Sequence, residues 1–181
     1  MAAAEPPPGP PAGPIERRVR EELDRLGGAY EVMPCDPALA DTAAFCAYYG
    51  IPPGESANAI VVASKGEPKT WALCLVLATT RLDVNRKVRD LLGVRRLSFA
   101  TAEETVARTG MMVGGVTPFG VSDMPIYVDA RIPRLTRVVV GGGSRSCKIR
   151  LAPEILLRLP GAAVVEGLAL EREEPAAPTP A

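Results

Sequence analysis

The sequence predicts one domain of the α/β or α+β class, in which a mixed, barrel-like β-sheet is covered by helices. Two observations predict this class. Apolar, β-branched segments of strand length recur along the chain, and amphipathic segments separate them without a regular strand–helix–strand alternation. The length of 181 residues and the hydrophobic content of 47% suffice for one core and leave little room for a second.

Proline and alanine are concentrated at both ends of the chain, in residues 1–14 and 171–181. Neither segment has apolar periodicity, so we expect two disordered tails around one folded domain of residues 15–170. The N-terminal segment lacks the basic start and apolar run of a signal peptide, and no segment approaches the roughly 18 apolar residues of a membrane span. We therefore expect a cytoplasmic protein without membrane contact.

Helices and strands are predicted from apolar spacing between capping residues, glycines and prolines. The predicted helices cover residues 15–26, 42–49, 84–92, 102–109 and 153–159. The predicted strands cover residues 29–33, 59–64, 71–78, 126–129, 136–140 and 147–151. The second and third strands are almost continuously apolar and flank a turn-like segment at residues 65–68, which predicts a central hairpin buried on both faces.

The chain contains no histidine, and its four cysteines are far apart. The absence of histidine excludes Ser–His and Cys–His nucleophile systems, and no cysteine pair has the spacing of metal ligands. We therefore expect reduced cysteines and no metal site.

Basic residues are concentrated in one part of a chain whose formal net charge is zero. Residues 129–150 contain six cations against a single acid, Asp129. The six are Arg131, Arg134, Arg137, Arg145, Lys148 and Arg150. Such a segment is equally typical of a phosphate-binding surface and of a solvated face.

Two glycine-rich segments, residues 110–120 and 140–145, are candidates for chemistry. Closely spaced glycines let backbone N–H groups approach a ligand and donate to a developing oxyanion. The alternative is that both segments are tight turns. Neither matches the dinucleotide-binding or P-loop pattern.

The order of these motifs resembles the YbaK/ProX family of aminoacyl-tRNA deacylases over roughly residues 15–168. The pattern G-x-x-x-G-G-x-x-P-x-G at residues 110–120 is the most specific part, supported by Leu82-Asp83 at a helix start and by the Gly-Gly-x-Arg run at residues 142–145. The resemblance implies a cavity beside the sheet, where an amino acid is hydrolysed from the 3′ end of a mischarged tRNA without metal or cofactor.

The resemblance also implies a set of site residues. The candidate catalytic residues are Asn58, Gly114, Gly115 and Gly120, the glycines as oxyanion donors. The candidate substrate-binding residues are Thr117, Pro118, Phe119, Asp129, Gly141, Gly142, Gly143, Arg145 and Lys148. Asp129 is expected to hold the glycine segments in shape by accepting hydrogen bonds from their backbone amides, and direct acid/base catalysis by Asp129 is the alternative.

Asn58 stands where the resemblance implies a functional lysine. A neutral amide can orient a water molecule or a carbonyl group, but it cannot neutralise negative charge. One hypothesis is that Lys148 or Arg145 supplies the missing cation. The alternative for Lys148 is a side chain that points to solvent from an edge strand.

The sequence is compatible with three functions. The first is trans-editing, the hydrolysis of mischarged aminoacyl-tRNA that releases free amino acid and tRNA. The second is a domain that binds an aminoacylated tRNA end or a synthetase without turnover, as the substitution at Asn58 would allow. The third is a small-molecule binding protein that uses the glycine segments for a phosphate. The expected partner is the aminoacylated 3′ end of tRNA, and an aminoacyl-tRNA synthetase is a second candidate.

Overall fold

A computed structural model describes residues 12–172 of the chain. These residues contain ten strands and four α-helices. The helices are α1 (Pro14–Leu26), α2 (Thr42–Tyr49), α3 (Arg89–Leu92) and α4 (Ala102–Thr109). The strands are β1 (Tyr30–Pro34), β2 (Ala57–Ser64), β3 (Trp71–Leu77), β4 (Thr80–Leu82), β5 (Leu97–Phe99), β6 (Ile126–Asp129), β7 (Val138–Gly141), β8 (Cys147–Leu151), β9 (Ala162–Val165) and β10 (Ala169–Glu171). Most of both predicted tails, residues 1–11 and 173–181, lies outside the described residues.

The strands form three sheets. The largest is mixed, with the order β5-β2-β3-β6-β9, and its β3–β6 and β6–β9 pairs are parallel. An antiparallel sheet has the order β1-β8-β7, and β10 pairs with β4. A single bridge between Ser56 and Val139 links the two larger sheets. The predicted mixed α/β class is confirmed, although the described strands do not close into a barrel.

The predicted central hairpin is confirmed as the antiparallel pair of β2 and β3. Successive side chains of a strand point to opposite faces of its sheet. Leu73 and Leu75 therefore pack into the larger core, whereas Cys74 and Val76 pack into a second core on the other face. Both faces of the hairpin are buried, which explains its continuous apolar sequence.

Two predicted helices differ from expectation in type. The segment predicted at residues 84–92 begins as a π-helix, Val84–Val88, in which Val88 N–H donates to Asp83 O, and continues as α3. The segment after Pro153 is a 3-10 helix, Pro153–Arg158. Pro160 follows closely and cannot donate the next backbone hydrogen bond, so there is little room for α-helical turns.

No helix within residues 12–172 is both long enough and apolar enough to cross a membrane.

Candidate functional site

The two glycine-rich segments lie in direct contact. Gly143 N–H donates to Gly115 O at 2.8 Å. A Cβ atom on Gly115 would lie 2.5 Å from the carbonyl carbon of Ser144, and one on Gly141 would lie 2.1 Å from the carbonyl oxygen of Val116. Because these neighbours are backbone atoms that cannot rotate away, glycine is required here for two main chains to pack together.

A cavity of about 340 Å³, called here the central cavity, lies where the glycine segments meet β2. Four of the predicted site residues line it: Asn58, Gly114, Gly141 and Lys148. Its other lining residues come from the start of α2, from β2 and β7, and from the segments around α4. They are Asp41, Thr42, Phe45, Ser56, Ala57, Ala59, Ile60, Val61, Phe99, Ala100, Thr105, Val113, Val116, Val139 and Val140.

Lys148 is buried, with 6% of its surface exposed, on the central strand of the β1-β8-β7 sheet. The alternative that it points to solvent from an edge strand is therefore wrong. Its ammonium nitrogen donates to Ala40 O and to Gly114 O, both at 2.7 Å. An ammonium group has three N–H donors, so one remains for a ligand in the cavity. Burial lowers the pKa of Lys148, because it disfavours the charged form.

Asn58 and Thr42 form a wall between two cavities. The Asn58 Oδ1 atom accepts a hydrogen bond from the Thr42 hydroxyl, which leaves the amide NH₂ group as its donor. Both residues line the central cavity and also a second cavity of about 430 Å³. Cys46 and Ile51 contribute to the apolar lining of that second cavity.

Arg145 lies beside the central cavity rather than in its lining. Its Nη1 atom donates to Asp41 Oδ1 at 3.1 Å and to Val113 O at 2.8 Å, and its Nε atom donates to Pro37 O at 3.0 Å. Asp41 and Val113 both line the cavity, so Arg145 holds two parts of the wall together. Of the two candidate cations, Lys148 is the one that faces the cavity.

The prediction that Gly115 and Gly120 donate to an oxyanion is wrong. Gly115 N–H donates to Met112 O at 2.9 Å, and Gly120 N–H donates to the carboxylate of Glu22 on α1, so both donors are used within the protein. Within residues 12–172, Gly114 N–H donates to no protein acceptor, and Gly114 lines the cavity. Gly114 is the one predicted glycine donor that remains available there.

Five further predicted residues pack into the interior beside the cavity. Thr117 and Phe119 are fully buried and Pro118 is buried next to them, Phe119 as part of the larger core. A Cβ atom on Gly142 would lie 2.4 Å from Cys147 Sγ, and Gly143 packs against Ile15 and Val19 of α1. Both glycine-rich segments thus contribute residues to chain packing. The five residues that were predicted to bind substrate but do not line the cavity are Thr117, Pro118, Phe119, Gly142 and Gly143.

The prediction that Asp129 supports the glycine segments is also wrong. Its buried carboxylate accepts hydrogen bonds from Arg131 N–H at 2.9 Å and from Ala169 N–H at 3.1 Å, and it forms an ion pair with the Arg131 guanidinium. Asp129 therefore joins β6 to β10 and does not line the central cavity.

The basic concentration at residues 129–150 is largely neutralised in the fold. Each of its arginines forms an ion pair with a carboxylate. The pairs are Arg131 with Asp129 and Glu171, Arg134 with Glu166, Arg137 with Glu55, Arg145 with Asp41, and Arg150 with Glu31. This segment is therefore a poor candidate for a phosphate-binding surface.

Residues 36–159 match the family model of the aminoacyl-tRNA editing domain. The chain belongs to this editing-domain family. The matched segment contains every residue that lines the central cavity. The resemblance inferred from the glycine motif is thereby confirmed at the level of the family.

Two curated proteins are similar to this chain. It is 26% identical over 101 residues to EbsC of Enterococcus faecalis, named as a proposed Cys-tRNA(Pro)/Cys-tRNA(Cys) deacylase, with 55% of this chain and 59% of EbsC covered. It is 44% identical over 50 residues to the proline–tRNA ligase of Shouchella clausii, which covers 28% of this chain and 9% of the ligase. The chain thus spans less than two thirds of either curated relative.

A solved structure extends the similarity over nearly the whole fold. It is the crystal structure of a protein described as a proposed trans-editing enzyme for prolyl tRNA synthetase. The TM-score is 0.72 and the sequence identity is 29%, with 86% of this chain and 97% of that chain covered.

Thr42 and Phe99 are among the residues lining the central cavity that sequence reasoning did not identify. The sequence places Thr42 only at a predicted helix start, and its contact with Asn58 depends on how α2 packs against β2. Phe99 lies on β5, a three-residue strand too short to show a period-2 pattern. The available signal was an aromatic residue that closely follows two arginines, Arg95 and Arg96, in the sequence.

Proposed function

We propose that this editing domain hydrolyses the ester bond of mischarged aminoacyl-tRNA in the central cavity and releases free amino acid and tRNA. The observation that carries the proposal is the buried ammonium group of Lys148, with one N–H left for a ligand. It supplies positive charge in a cavity where Asn58 is neutral. Family membership and the deacylase among the relatives support this class of reaction.

The proposed reaction needs little besides positioning and oxyanion stabilisation, because an aminoacyl ester is already activated. A water oxygen attacks the acyl carbon, and the carbonyl electron pair moves onto oxygen. The free N–H of Lys148 and the N–H of Gly114 donate to that oxyanion. The bond from the acyl carbon to the ribose oxygen then breaks, and the ribose oxygen takes a proton from the attacking water. The neighbouring ribose hydroxyl assists, as the resemblance implies, and the Asn58 amide holds the water.

Asn58 favours a second candidate function, binding of aminoacyl-tRNA without turnover. It is a neutral residue where the resemblance implies a lysine, and its oxygen is already bonded to Thr42. A cavity of this kind could hold an aminoacyl end while leaving the ester intact.

A panel of misacylated tRNAs distinguishes the two functions. Each tRNA is incubated with the protein, and both ester loss and retention of intact aminoacyl-tRNA are measured. Ester loss above the spontaneous rate supports hydrolysis, whereas retention of the intact ester supports binding. Neither ester loss nor retention with any member of the panel would contradict both functions.

The proposed partners follow from the same relatives. The aminoacylated 3′ end of tRNA is the substrate, and a prolyl-tRNA synthetase is the candidate protein partner, because one such ligase contains a segment similar to this domain. The proposed location is the cytoplasm, where aminoacyl-tRNAs are used.

Replacing Asn58 by alanine is expected to widen the range of amino acids removed. The change opens the wall between cavities of about 340 and 430 Å³, so longer aminoacyl side chains can enter. A methylene group contributes about 1–3 kcal/mol to such discrimination. The ratio of kcat/KM for a long against a short aminoacyl group should therefore rise at least tenfold, as measured by deacylation.

Thr42→Val is the matched control for Asn58→Ala, since it removes the same hydrogen bond but keeps the volume of the wall. Its ratio should stay close to that of the native protein. An unchanged ratio in Asn58→Ala would mean that the wall does not set substrate size.

The rate of ester hydrolysis is expected to fall on the alkaline side at a lower pH than an ordinary lysine would allow. Lysine is charged below its pKa, and burial lowers the pKa of Lys148 from 10.5. The oxyanion therefore loses its charged partner as the pH rises through this lowered value. Single-turnover rates, corrected for spontaneous hydrolysis, check this. The same alkaline decline in Lys148→Met would assign it to another group.

A further inference from the structure

Three exposed cations outside the central cavity share a single hollow. Lys65, Arg95 and Arg96 line a hollow of about 660 Å³, here called the basic hollow. The backbone N–H of Lys65 donates to the backbone oxygen of Arg96 at 3.0 Å, which holds the two residues side by side. Within residues 12–172, none of the three forms an ion pair, in contrast to the arginines of residues 129–150. Glu67 is the one acid in the lining.

Lys69 lies between two residues that line the basic hollow, Pro68 and Thr70, and its charge is neutralised. Lys69 forms an ion pair with Glu104 at 2.5 Å, so neither adds net charge to the basic hollow. Three unpaired cations against one acid leave a positive hollow, which favours an anionic partner.

Strand β5 connects the basic hollow to the central cavity. It pairs with β2, with Leu97 opposite Ser64 and Phe99 opposite Val62. Phe99 lines the central cavity, yet 57% of its surface is exposed. Arg96 precedes Phe99 by three residues, which corresponds to about 10 Å along a strand. An exposed aromatic ring thus lies at the central cavity, and Arg95 and Arg96 of the basic hollow lie just before the start of the same strand.

We infer that β5 binds the single-stranded 3′ end of an RNA, with a base stacked on Phe99 and backbone phosphates in the basic hollow. Single-stranded nucleic acids are bound by this combination of cations for the phosphates and aromatic faces for the bases. The inference rests on the proposed function only for the position of the ester in the central cavity. An acidic protein surface would satisfy the cations but would leave the ring of Phe99 without a partner.

The phosphate contacts are tested by the triple variant Lys65→Gln, Arg95→Gln, Arg96→Gln. Its affinity for a tRNA transcript with an intact CCA 3′ end should fall about ten- to a hundredfold at low salt. The slope of log affinity against log salt should decrease in magnitude by about 2, since each single-strand phosphate contact contributes about 0.7. The control is Arg134→Gln, Arg137→Gln, Arg150→Gln, which changes the formal charge equally at ion-paired positions. Its affinity should stay near that of the native protein.

The stacking contact is tested with Phe99→Ala and with a tRNA transcript trimmed of its CCA end. Loss of one stacked base should weaken binding about 5- to 100-fold. Trimming should weaken binding to the native protein, and should weaken binding to Phe99→Ala much less. Tyr48→Ala removes another exposed aromatic, one outside the cavity lining, and should behave as the native protein.

These binding measurements do not depend on ester hydrolysis. Full tRNA affinity in the triple variant would overturn the inference and assign the cations to another partner, such as an acidic protein, and so would equal losses in the triple variant and its control. An equal effect of trimming on Phe99→Ala and the native protein would also overturn it. Weakened binding by these variants, in a protein that hydrolyses no ester, would support the RNA contact while contradicting the proposed function.

Discussion

Replacing Lys148 by methionine is expected to reduce the rate of ester hydrolysis by about 100- to 1,000-fold, the usual effect of removing one oxyanion donor. Methionine has a similar length but provides neither charge nor N–H donors. The charged residues that line the cavity are Asp41 and Lys148. The oxyanion would therefore keep the Gly114 N–H donor but lose the one positively charged residue of the lining. Single-turnover deacylation of the tRNA that the native protein cleaves fastest measures the effect.

Two further variants separate catalysis from folding in this experiment. Lys148→Arg keeps the charge and should retain more activity than Lys148→Met. Arg145→Ala removes a nearby cation outside the cavity lining and should cause a smaller loss of rate. Thermal unfolding identifies any variant that fails to fold. A folded Lys148→Met protein with an unchanged rate would show that the ammonium group takes no part in the reaction.

Replacing Gly141 by alanine is expected to destabilise the fold by about 3 kcal/mol or more, at the upper end for overpacking. Its Cβ atom would lie 2.1 Å from Val116 O and 2.9 Å from Gly115 O. Both are backbone atoms, so relief requires the two glycine segments to move apart. Because these segments form one side of the central cavity, deacylation should also fall. Urea unfolding gives the free energy of unfolding, and the deacylation assay gives the rate.

Gly54→Ala is the matched control for Gly141→Ala. A Cβ atom at Gly54 meets nothing within 4 Å, and the backbone there does not have a positive φ. Its free energy of unfolding should change by no more than about 1 kcal/mol. Equal destabilisation by the two substitutions would contradict the claim that backbone packing requires Gly141.

The longer elements of the fold were predictable because their sequence patterns depend on local geometry. The hairpin of β2 and β3 shows continuous apolarity because both of its faces are buried, and α1 shows helical spacing because one face packs on the core. Strands β4, β5 and β10 have three residues each, which is too few for a periodic pattern.

The site was predictable only in part, because a motif does not distinguish packing from binding. The glycine segments do meet, yet Gly115 and Gly120 use their N–H groups within the protein, and Phe119 fills the core. Lys148 could be proposed as a cation from its sequence position. Its burial depends on contacts with Ala40 O and Gly114 O, which lie 108 and 34 residues away in sequence. Tertiary contacts of this kind leave no periodic signal.

Hydrolysis in the central cavity requires the acyl group of a bound substrate to lie beside Lys148 and Gly114. A crystal structure would be determined with an adenosine whose 3′ amino acid is joined by an amide, which resists hydrolysis. We predict that the acyl oxygen lies about 3 Å from both Lys148 Nζ and Gly114 N. An acyl group in the second cavity beside Cys46 and Ile51, or outside both cavities, would contradict hydrolysis in the central cavity.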